Sequence, residues 1–175
     1  AEPGGGTLTY SLSGHDAAAF NLNANTGALT LKSVPSYDIQ HSYDVVIQAN
    51  ETNGGTLSVD QNVTITVNPV AATFNSPATA HVNEGVPAGT TVYTAQASEP
   101  GGGSLTYSLV GNLGDDAADF SINAATGAVD IDVVPNFHTQ DVYHFTVEAI
   151  EQSGLFTTEA VTLDINNVPL TVTTA

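Results

Sequence analysis

The chain has 175 residues, of which 41% are hydrophobic, and it contains no cysteine, so a disulfide framework and a thiol nucleophile are excluded. Eighteen acids stand against one base, Lys32, which gives a formal net charge of −17. Such a surface repels phosphate backbones and anionic lipid, so nucleic acid and membrane surfaces are excluded as partners. It attracts hard cations such as calcium or magnesium, although acidity that serves solubility alone is an alternative interpretation.

A long internal repeat determines the predicted domain organisation. The phrase EPGGGTLTYSL (2–12) returns as EPGGGSLTYSL (99–109), at an offset of 97, and later phrases match at an offset of 100. A period near 100 residues indicates duplicated domains rather than a solenoid of short units. We predict a first domain over 1–69 that lacks its first strands and a complete second domain over 70–168. The segment 169–175 is interpreted as the start of a further repeat or a tail.

Period-two alternation of apolar and polar residues predicts strands along both domains. In chain order the predicted strands are LTYSL (8–12), YDVVIQA (43–49), VTITV (63–67), ATFN (72–75), AHVN (80–83), TVYTAQA (91–97), LTYSL (105–109), YHFTVEA (143–149) and VTLDI (161–165). Turn chemistry separates them, as in NANTGA (23–28) and NAATGA (123–128). Only DDAADF (115–120) predicts one helical turn. The fold class is therefore all-β: two antiparallel Greek-key sandwiches in tandem.

The first domain begins directly at the repeated phrase, so it lacks the counterpart of residues 71–97. An unpaired inner strand exposes backbone groups and apolar side chains, which is an aggregation hazard. We therefore expect the absent segment either to lie upstream or to be supplied by another chain, as in a strand-exchanged dimer.

No motif predicts catalysis. The chain has no Gly-x-Ser-x-Gly elbow, phosphate-binding loop or His-Glu-x-x-His motif, and its five histidines lack the spacing of a transition-metal site. Asp115, Asp116 and Asp119 are close enough in sequence to share a cation, with a solvated acidic loop as the alternative. We predict that the protein is not an enzyme.

Several phrases resemble the bacterial cadherin-like domain of large secreted adhesins, including the rhizobial adhering proteins. They are VNEGVPAGT (82–90), VYTAQASEPGGGSLTYSL (92–109), DFSINAATGAV (119–129), YHFTVEA (143–149) and VTLDINN (161–167). The resemblance covers nearly the whole chain. It implies an extracellular adhesion or biofilm-matrix module, secreted or attached to a cell surface, in which neighbouring cadherin-like domains follow one another.

The resemblance also implies calcium ions at domain junctions, held by six to eight oxygens from several segments. The matching positions are Glu84 for the early glutamate, Glu2 and Glu99 for the first acid of the Asp-x-Asp pair, and Glu51 and Glu151 for the acid that follows the long strand. Ser36 and Asp38 take the next acidic positions in the first domain, and Asn136 and His138 take them in the second. The linker positions are Asn68 after the first domain and Asp164, Asn166 and Asn167 after the second.

Glycine replaces the second acid of the pair at Gly4 and Gly101, so we expect one weakly held calcium per junction rather than three. The junction between the domains should gather Asp38, Asn68, Glu99 and Glu151. Alternatively, the PGGG phrase is only a tight turn in which glycines supply positive φ angles.

The resemblance leaves the adhesion ligand open, so two other functions remain. One is a calcium-dependent lectin that binds acidic exopolysaccharide, with Tyr37, Phe137 and Phe156 as aromatic platforms, because Tyr43, Tyr143 and Phe145 are predicted to be internal. The other is a passive spacer in a stalk. A cell-surface or matrix protein is also a candidate partner.

Overall fold

The computed structural model describes residues 7–52 and 57–169. The chain divides into unit 1, Ala1–Pro69, and unit 2, Val70–Ala175. Glu2, Gly4 and the residues after Pro169, on which some of the sequence predictions fall, lie outside the described residues. In the described part no helix is long and apolar enough to cross a membrane.

The predicted all-β fold is confirmed. In unit 1 the strands are β1 (Leu8–Ser13), β2 (Phe20–Leu22), β3 (Leu29–Leu31), β4 (Ser42–Glu51) and β5 (Ser58–Thr66). They form a sheet in the order β1-β4-β5 and a hairpin of β2 and β3. A single 3-10 turn, Ala17–Ala19, precedes β2.

Unit 2 contains two larger sheets and a small two-stranded one. Its strands are β6 (Thr73–Phe74), β7 (Thr79–Asn83), β8 (Thr90–Thr94), β9 (Ala97–Ser98), β10 (Leu105–Val110), β11 (Phe120–Ile122), β12 (Ala128–Ile131), β13 (Val142–Glu151) and β14 (Phe156–Asn166). The sheets have the orders β10-β13-β14-β7, β11-β12-β8 and β6-β9. The predicted turn in DDAADF is present as a 3-10 turn, Ala117–Asp119.

One strand pair departs from the predicted antiparallel pattern. β7 joins β14 in parallel, from Thr79 opposite Thr162 to Asn83 opposite Asn166. Parallel pairing needs a long connection rather than a hairpin, and five strands, β8 to β12, lie between β7 and the β13–β14 hairpin in sequence. The other strand pairs of the described residues are antiparallel.

The core of unit 2 lies between its two larger sheets. Alternate residues of β13 point inward, so Tyr143, Phe145 and Val147 are 5%, 1% and 0% exposed. From the opposite sheet Phe120 packs against Phe145 with ring centroids 4.6 Å apart, and Val129 is fully buried. The inner faces of both sheets therefore contribute to one continuous core.

Unit 1 repeats this pattern with less burial. Phe20 and Val45 are buried, and Phe20 meets Tyr43 edge to face at 5.5 Å. Leu29 and Leu31, the counterparts of fully buried Val129 and Ile131, are only half-buried. The strands that cover this region in unit 2, β7 and β8, have no counterpart among the described residues of unit 1.

Both units contain a Thr-Gly-Ala turn, so its packing can be compared with and without the covering strands. Gly27 and Gly127 both have φ near +72°, which only glycine adopts easily. A Cβ on Gly127 would lie 2.4 Å from the Ala95 carbonyl oxygen, whereas on Gly27 its nearest contact is the Tyr10 ring at 3.3 Å. Gly127 therefore permits close backbone approach as well as the turn.

We predict that Gly127→Ala destabilises unit 2 more than Gly27→Ala destabilises unit 1. Gly27→Ala should cost about 1 kcal/mol for the left-handed conformation, and Gly127→Ala should add the displacement of Ala95. Residue-resolved amide hydrogen exchange in each variant would assign the loss to its unit. Equal losses would contradict the role of the Ala95 contact.

Candidate metal-binding site

The predicted ligands of unit 1 lie in the loop between β3 and β4 and just after β5. The Ser36 carbonyl accepts hydrogen bonds from the amides of Ile39 and Gln40, at 3.3 and 3.0 Å, so the loop folds into a tight turn. Ser36 is 6% exposed, and its Oγ and the Oδ2 of Asp38 are buried without a hydrogen-bond partner. Asn68 is exposed.

In unit 2, Glu151 and Glu99 both lie at the end of the sandwich where β10 begins. Glu151 is the last residue of β13, pairs with Leu105 and is 5% exposed. The Ser153 hydroxyl donates to its Oε2 at 2.9 Å, while its Oε1 is buried without a partner. Glu51, the counterpart at the end of β4, is half-buried.

The Glu99 carboxylate folds back onto its own turn. The Gly101 amide donates to its Oε1 at 2.7 Å, and the Gly103 amide donates to its Oε2. Gly102 has φ +76°. The turn interpretation of PGGG is therefore present in the structure, and Glu99 caps the turn with both of its oxygens.

Glu84 anchors the other end of unit 2. Its two carboxylate oxygens accept hydrogen bonds from the amides of Phe137, at 3.2 Å, and Val168, at 2.8 Å. The amides of Glu84 and Gly85 donate in turn to the carbonyls of Asn166 and Pro135. The structure thus brings Glu84 together with the loop that carries Asn136 and with the linker that carries Asn166 and Asn167.

The remaining predicted positions of unit 2 contribute less to this end. The Asn136 side chain accepts from the His138 amide at 2.9 Å, and His138 is exposed. The side-chain amide of Asn166 donates to the Asn83 side-chain oxygen at 3.2 Å. Asp164 lies 3.3 Å from His81 on the outer face, so it points away from the core.

The buried oxygens without partners occur at the predicted calcium positions. In the described ranges they are Ser36 Oγ, Asp38 Oδ2 and Glu151 Oε1. The resemblance assigned Asp38 and Glu151 to calcium and placed Ser36 at an acidic position of the same motif as Asp38. A buried acceptor without a partner is costly, and a cation relieves that cost. Within those ranges, however, no three Asp, Glu or His side chains converge as a complete metal site. Each unit offers a partial shell that other oxygens would have to complete.

The acidic loops before β2 and β11 serve the fold. The Asp116 carboxylate accepts from the His144 amide at 2.8 Å and from the Gln140 side chain at 2.9 Å. Asp16 makes the same bonds in unit 1, to the Asp44 amide at 2.7 Å and to Gln40 at 2.9 Å. Asp16 and Asp116 are therefore hydrogen-bonded into the fold of their units.

A partly buried polar cluster in unit 2 was not predicted from the sequence. Tyr93 Oη lies 2.8 Å from both Ser76 Oγ and Glu159 Oε2. Burial, followed by the nearby Glu159, raises the pKa of Tyr93 to about 12. The signal was available, because alternation along β14 places Glu159 on the same face as the buried Val161 and Leu163.

The three predicted aromatic platforms differ in exposure. Phe156 is 61% exposed. Tyr37 is half-buried and stacks on His41 with ring centroids 4.2 Å apart. Phe137 packs against the core of unit 2, because its loop is held down by Glu84, so it is a poor platform. Tyr143 and Phe145 are internal as predicted, and Tyr43 is half-buried.

Comparison with known proteins gives the class of both units. No family model matches the chain. Human Protocadherin Fat 4 is 29% identical over 151 residues, and mouse Cadherin EGF LAG seven-pass G-type receptor 2 is 36% identical over 149. These matches cover 82% and 80% of this chain but only 3% and 5% of the relatives.

Solved structures agree with the sequence relatives. Mouse Cadherin-23 EC22-24 matches 92% of this chain and 53% of that one, with a TM-score of 0.54 and 26% identity. The Protocadherin gammaB7 EC3-6 cis-dimer structure matches 91% of this chain and 42% of that one, with a TM-score of 0.56 and 20% identity. The units are therefore β-sandwiches of the cadherin-like class. The relatives named here are animal cadherins, and the chain spans a small part of their length.

We predict that the stability of unit 1 falls in acid through Asp16. The backbone hydrogen bond from Asp44, followed by that from Gln40, lowers the pKa of Asp16. A depressed folded-state pKa gives stability that is present above the unfolded value, near 4, and lost as pH falls through the folded value. Urea unfolding of unit 1 between about pH 2 and 6 should show a shallower acid slope in Asp16→Asn. The exposed Asp60→Asn is the matched control, and an identical slope in Asp16→Asn would contradict the assignment.

Proposed function

We propose that the chain is an extracellular adhesion or biofilm-matrix module of a secreted bacterial protein, made rigid by calcium. Neighbouring cadherin-like domains are its immediate partners, and a cell-surface or matrix polysaccharide or protein is its ligand. The cadherin-like class of both units supports this proposal. Loops that cluster at the two ends of each sandwich suit it, because neighbours dock there.

The observation that carries the calcium proposal is the set of buried oxygens without partners. Asp38 and Glu151 each hold a buried carboxylate oxygen that no donor reaches. Burying an ionised group without compensation costs several kcal/mol. Calcium prefers such hard oxygens and also accepts carbonyl and water ligands, which would complete the partial shells. In unit 1 Ser36, Asp38 and Asn68 would hold the ion, and in unit 2 Glu151 with Glu99.

At the other end of unit 2, Glu84 with Asn166 and Asn167 is a further candidate. Both Glu84 oxygens already accept one amide hydrogen bond, yet each carboxylate oxygen has a second lone pair available. The counterparts Glu51 and Glu2, together with Asp164, remain weaker candidates.

We expect a calcium-specific gain in stability that Glu151→Gln removes. With a dissociation constant of about 1 mM, 10 mM calcium should stabilise the folded unit by about 1.4 kcal/mol. Without calcium, Glu151→Gln should be as stable as the wild type or more stable, because the neutral amide removes a buried charge. Thermal melts in calcium and in sodium chloride of matched ionic strength would measure both effects.

Controls separate a specific site from general screening of charge. Asp60→Asn removes an exposed carboxylate outside the candidate sites and should keep the full calcium gain. Asp38→Asn should remove the gain in unit 1 alone when hydrogen exchange is read unit by unit. Equal stabilisation by both salts in every variant would refute the calcium sites, because sodium screens the net charge equally well.

The lectin alternative is supported by one residue. Phe156 exposes 61% of its surface on β14, as a platform for a sugar ring requires. If acidic polysaccharide binds through this ring, Phe156→Ala should lose binding on a glycan array while its melting temperature stays unchanged. Retained binding in Phe156→Ala would remove Phe156 from the proposal. Binding to no polysaccharide at all would favour a protein ligand or a spacer.

A further inference from the structure

An early strand and the last strand of unit 2 pair in parallel. β7 lies beside the end of β14, with Thr79 opposite Thr162 and Asn83 opposite Asn166, and we call this pairing the β7–β14 seam. The chain enters the seam at Thr79 and leaves it at Asn166, which lie at opposite ends. Tension applied to the two ends of unit 2 therefore slides the strands along each other and loads all their evenly spaced hydrogen bonds at once.

Side-chain contacts also cross the seam along its length. Each joins a residue of the opening segment, 76–83, to a residue of β14. They are Ser76 Oγ to Glu159 Oε2 at 3.1 Å, His81 Nδ1 to Asp164 Oδ2 at 3.3 Å, and Asn83 Oδ1 to Asn166 Nδ2 at 3.2 Å. Sliding of β7 along β14 would have to break these contacts together with the backbone bonds.

The entry to the seam is fastened at Ser76. Tyr93 Oη lies 2.8 Å from both Ser76 Oγ and Glu159 Oε2, and the Tyr93 side chain is anchored in the core with 6% exposure. Upstream of Ser76, β6 pairs with β9 through two residue pairs only. Tension that enters unit 2 at Val70 therefore meets its first firm attachment at Ser76.

The fold does not dictate the side chains that cross the seam. At the positions of Glu159 and Asp164, unit 1 has Gln61 and Thr66. The side chains of His81 and Asp164 are 60% and 44% exposed, and exposed pairs of this kind contribute little to equilibrium stability. Their place in the path of the load gives them an effect that a resting protein would not show.

We propose that unit 2 bears tension and that the β7–β14 seam, with its three side-chain contacts, is the element that resists it. The backbone bonds and the side-chain contacts break in one step under load, so all of them contribute to the barrier that governs forced unfolding. Ser76, His81 and Asn83 thus set the lifetime of unit 2 under force more than its stability at rest. The proposal requires neither calcium nor a particular adhesion ligand.

The first test compares two directions of force on the full chain, with calcium chelated. The chain has no cysteine, so pairs of introduced cysteines can serve as attachment points. Val70→Cys with Val168→Cys pulls along the seam. Ala88→Cys with Val168→Cys pulls both strands from the same end and opens the seam one bond after another. All three positions are exposed. In a constant-force optical-tweezers measurement, we expect unit 2 to survive about tenfold longer or more along the seam.

The second test removes the side-chain contacts. Ser76→Ala, His81→Ala and Asn83→Ala, combined in one chain, should shorten the lifetime under tension along the seam about tenfold. The unfolding rate in urea without force should change much less. Ser121→Ala is the matched control, because it removes a contact of 3.0 Å to Asp132 on the opposite sheet and should keep the full lifetime.

Three results would overturn the proposal. They are equal lifetimes in the two directions, a triple variant that behaves like Ser121→Ala under tension, or a triple variant whose unfolding is accelerated equally with and without force. The comparison of directions leaves every seam contact intact, so it decides the proposal independently of how the triple variant folds.

Discussion

The fold of unit 2 depends on the long β13–β14 hairpin, whose inner face must be covered by the opposite sheet. Tyr143, Phe145, Val147 and Ala149 alternate inward along β13, and Val161 and Leu163 lie opposite them on β14. Burial of these side chains is the main favourable contribution to folding, and it requires β8, β11 and β12 on the other side. Unit 1 contains the same hairpin as β4 and β5 with a smaller cover, so its core is shallower.

The same alternation explains why acids are found on the inner face. Continuing inward from Ala149 by two residues reaches Glu151, which is 5% exposed at the end of the strand. Glu159 is on the inner face of β14, where Tyr93 and Ser76 of the opening segment meet it. In unit 1 the corresponding position is Gln61, which is exposed and neutral. The half-buried carboxylate of Glu159 thus occurs where two hydroxyl partners meet it, which offsets part of the cost of its burial.

The sequence predicted the long strands and their inner faces, because period-two alternation reports burial on one side. It also predicted the strands that the two units share, since the repeat could be aligned phrase by phrase. It did not predict that β7 pairs in parallel with β14, because a strand pattern contains no information about direction. The roles of Asp16 and Asp116 were missed for a similar reason. Their amide partners, Asp44 and His144, are 28 residues away, and only the folded loop brings them together.

The candidate ligands were assigned position by position, yet sequence could not decide how each carboxylate is used. Glu84 and Glu99 were equivalent candidates, and both turn out to accept backbone amides. Asp38 and Glu151 differ from them in keeping a buried oxygen without a donor. This distinction depends on local backbone geometry, because an amide that points at a carboxylate supplies the positive charge a cation would otherwise provide.

The net charge gives these unpaired oxygens a wider significance. Lys32 is the single base of the chain, and its Nζ donates to the Ala18 carbonyl at 2.8 Å rather than pairing with an acid. In the described ranges the ion pairs involve histidines only, His15 with Asp16 and His81 with Asp164. These pairs join opposite charges only when the histidine ring is protonated. One lysine cannot balance eighteen acids, and the mutual repulsion of the acids acts against the compact state. Dissolved salt screens the exposed acids over about 8 Å at physiological ionic strength, but it does not reach buried oxygens such as Glu151 Oε1. Screening can stabilise the surface of this protein, whereas only a directly bound cation or proton can neutralise its buried carboxylates.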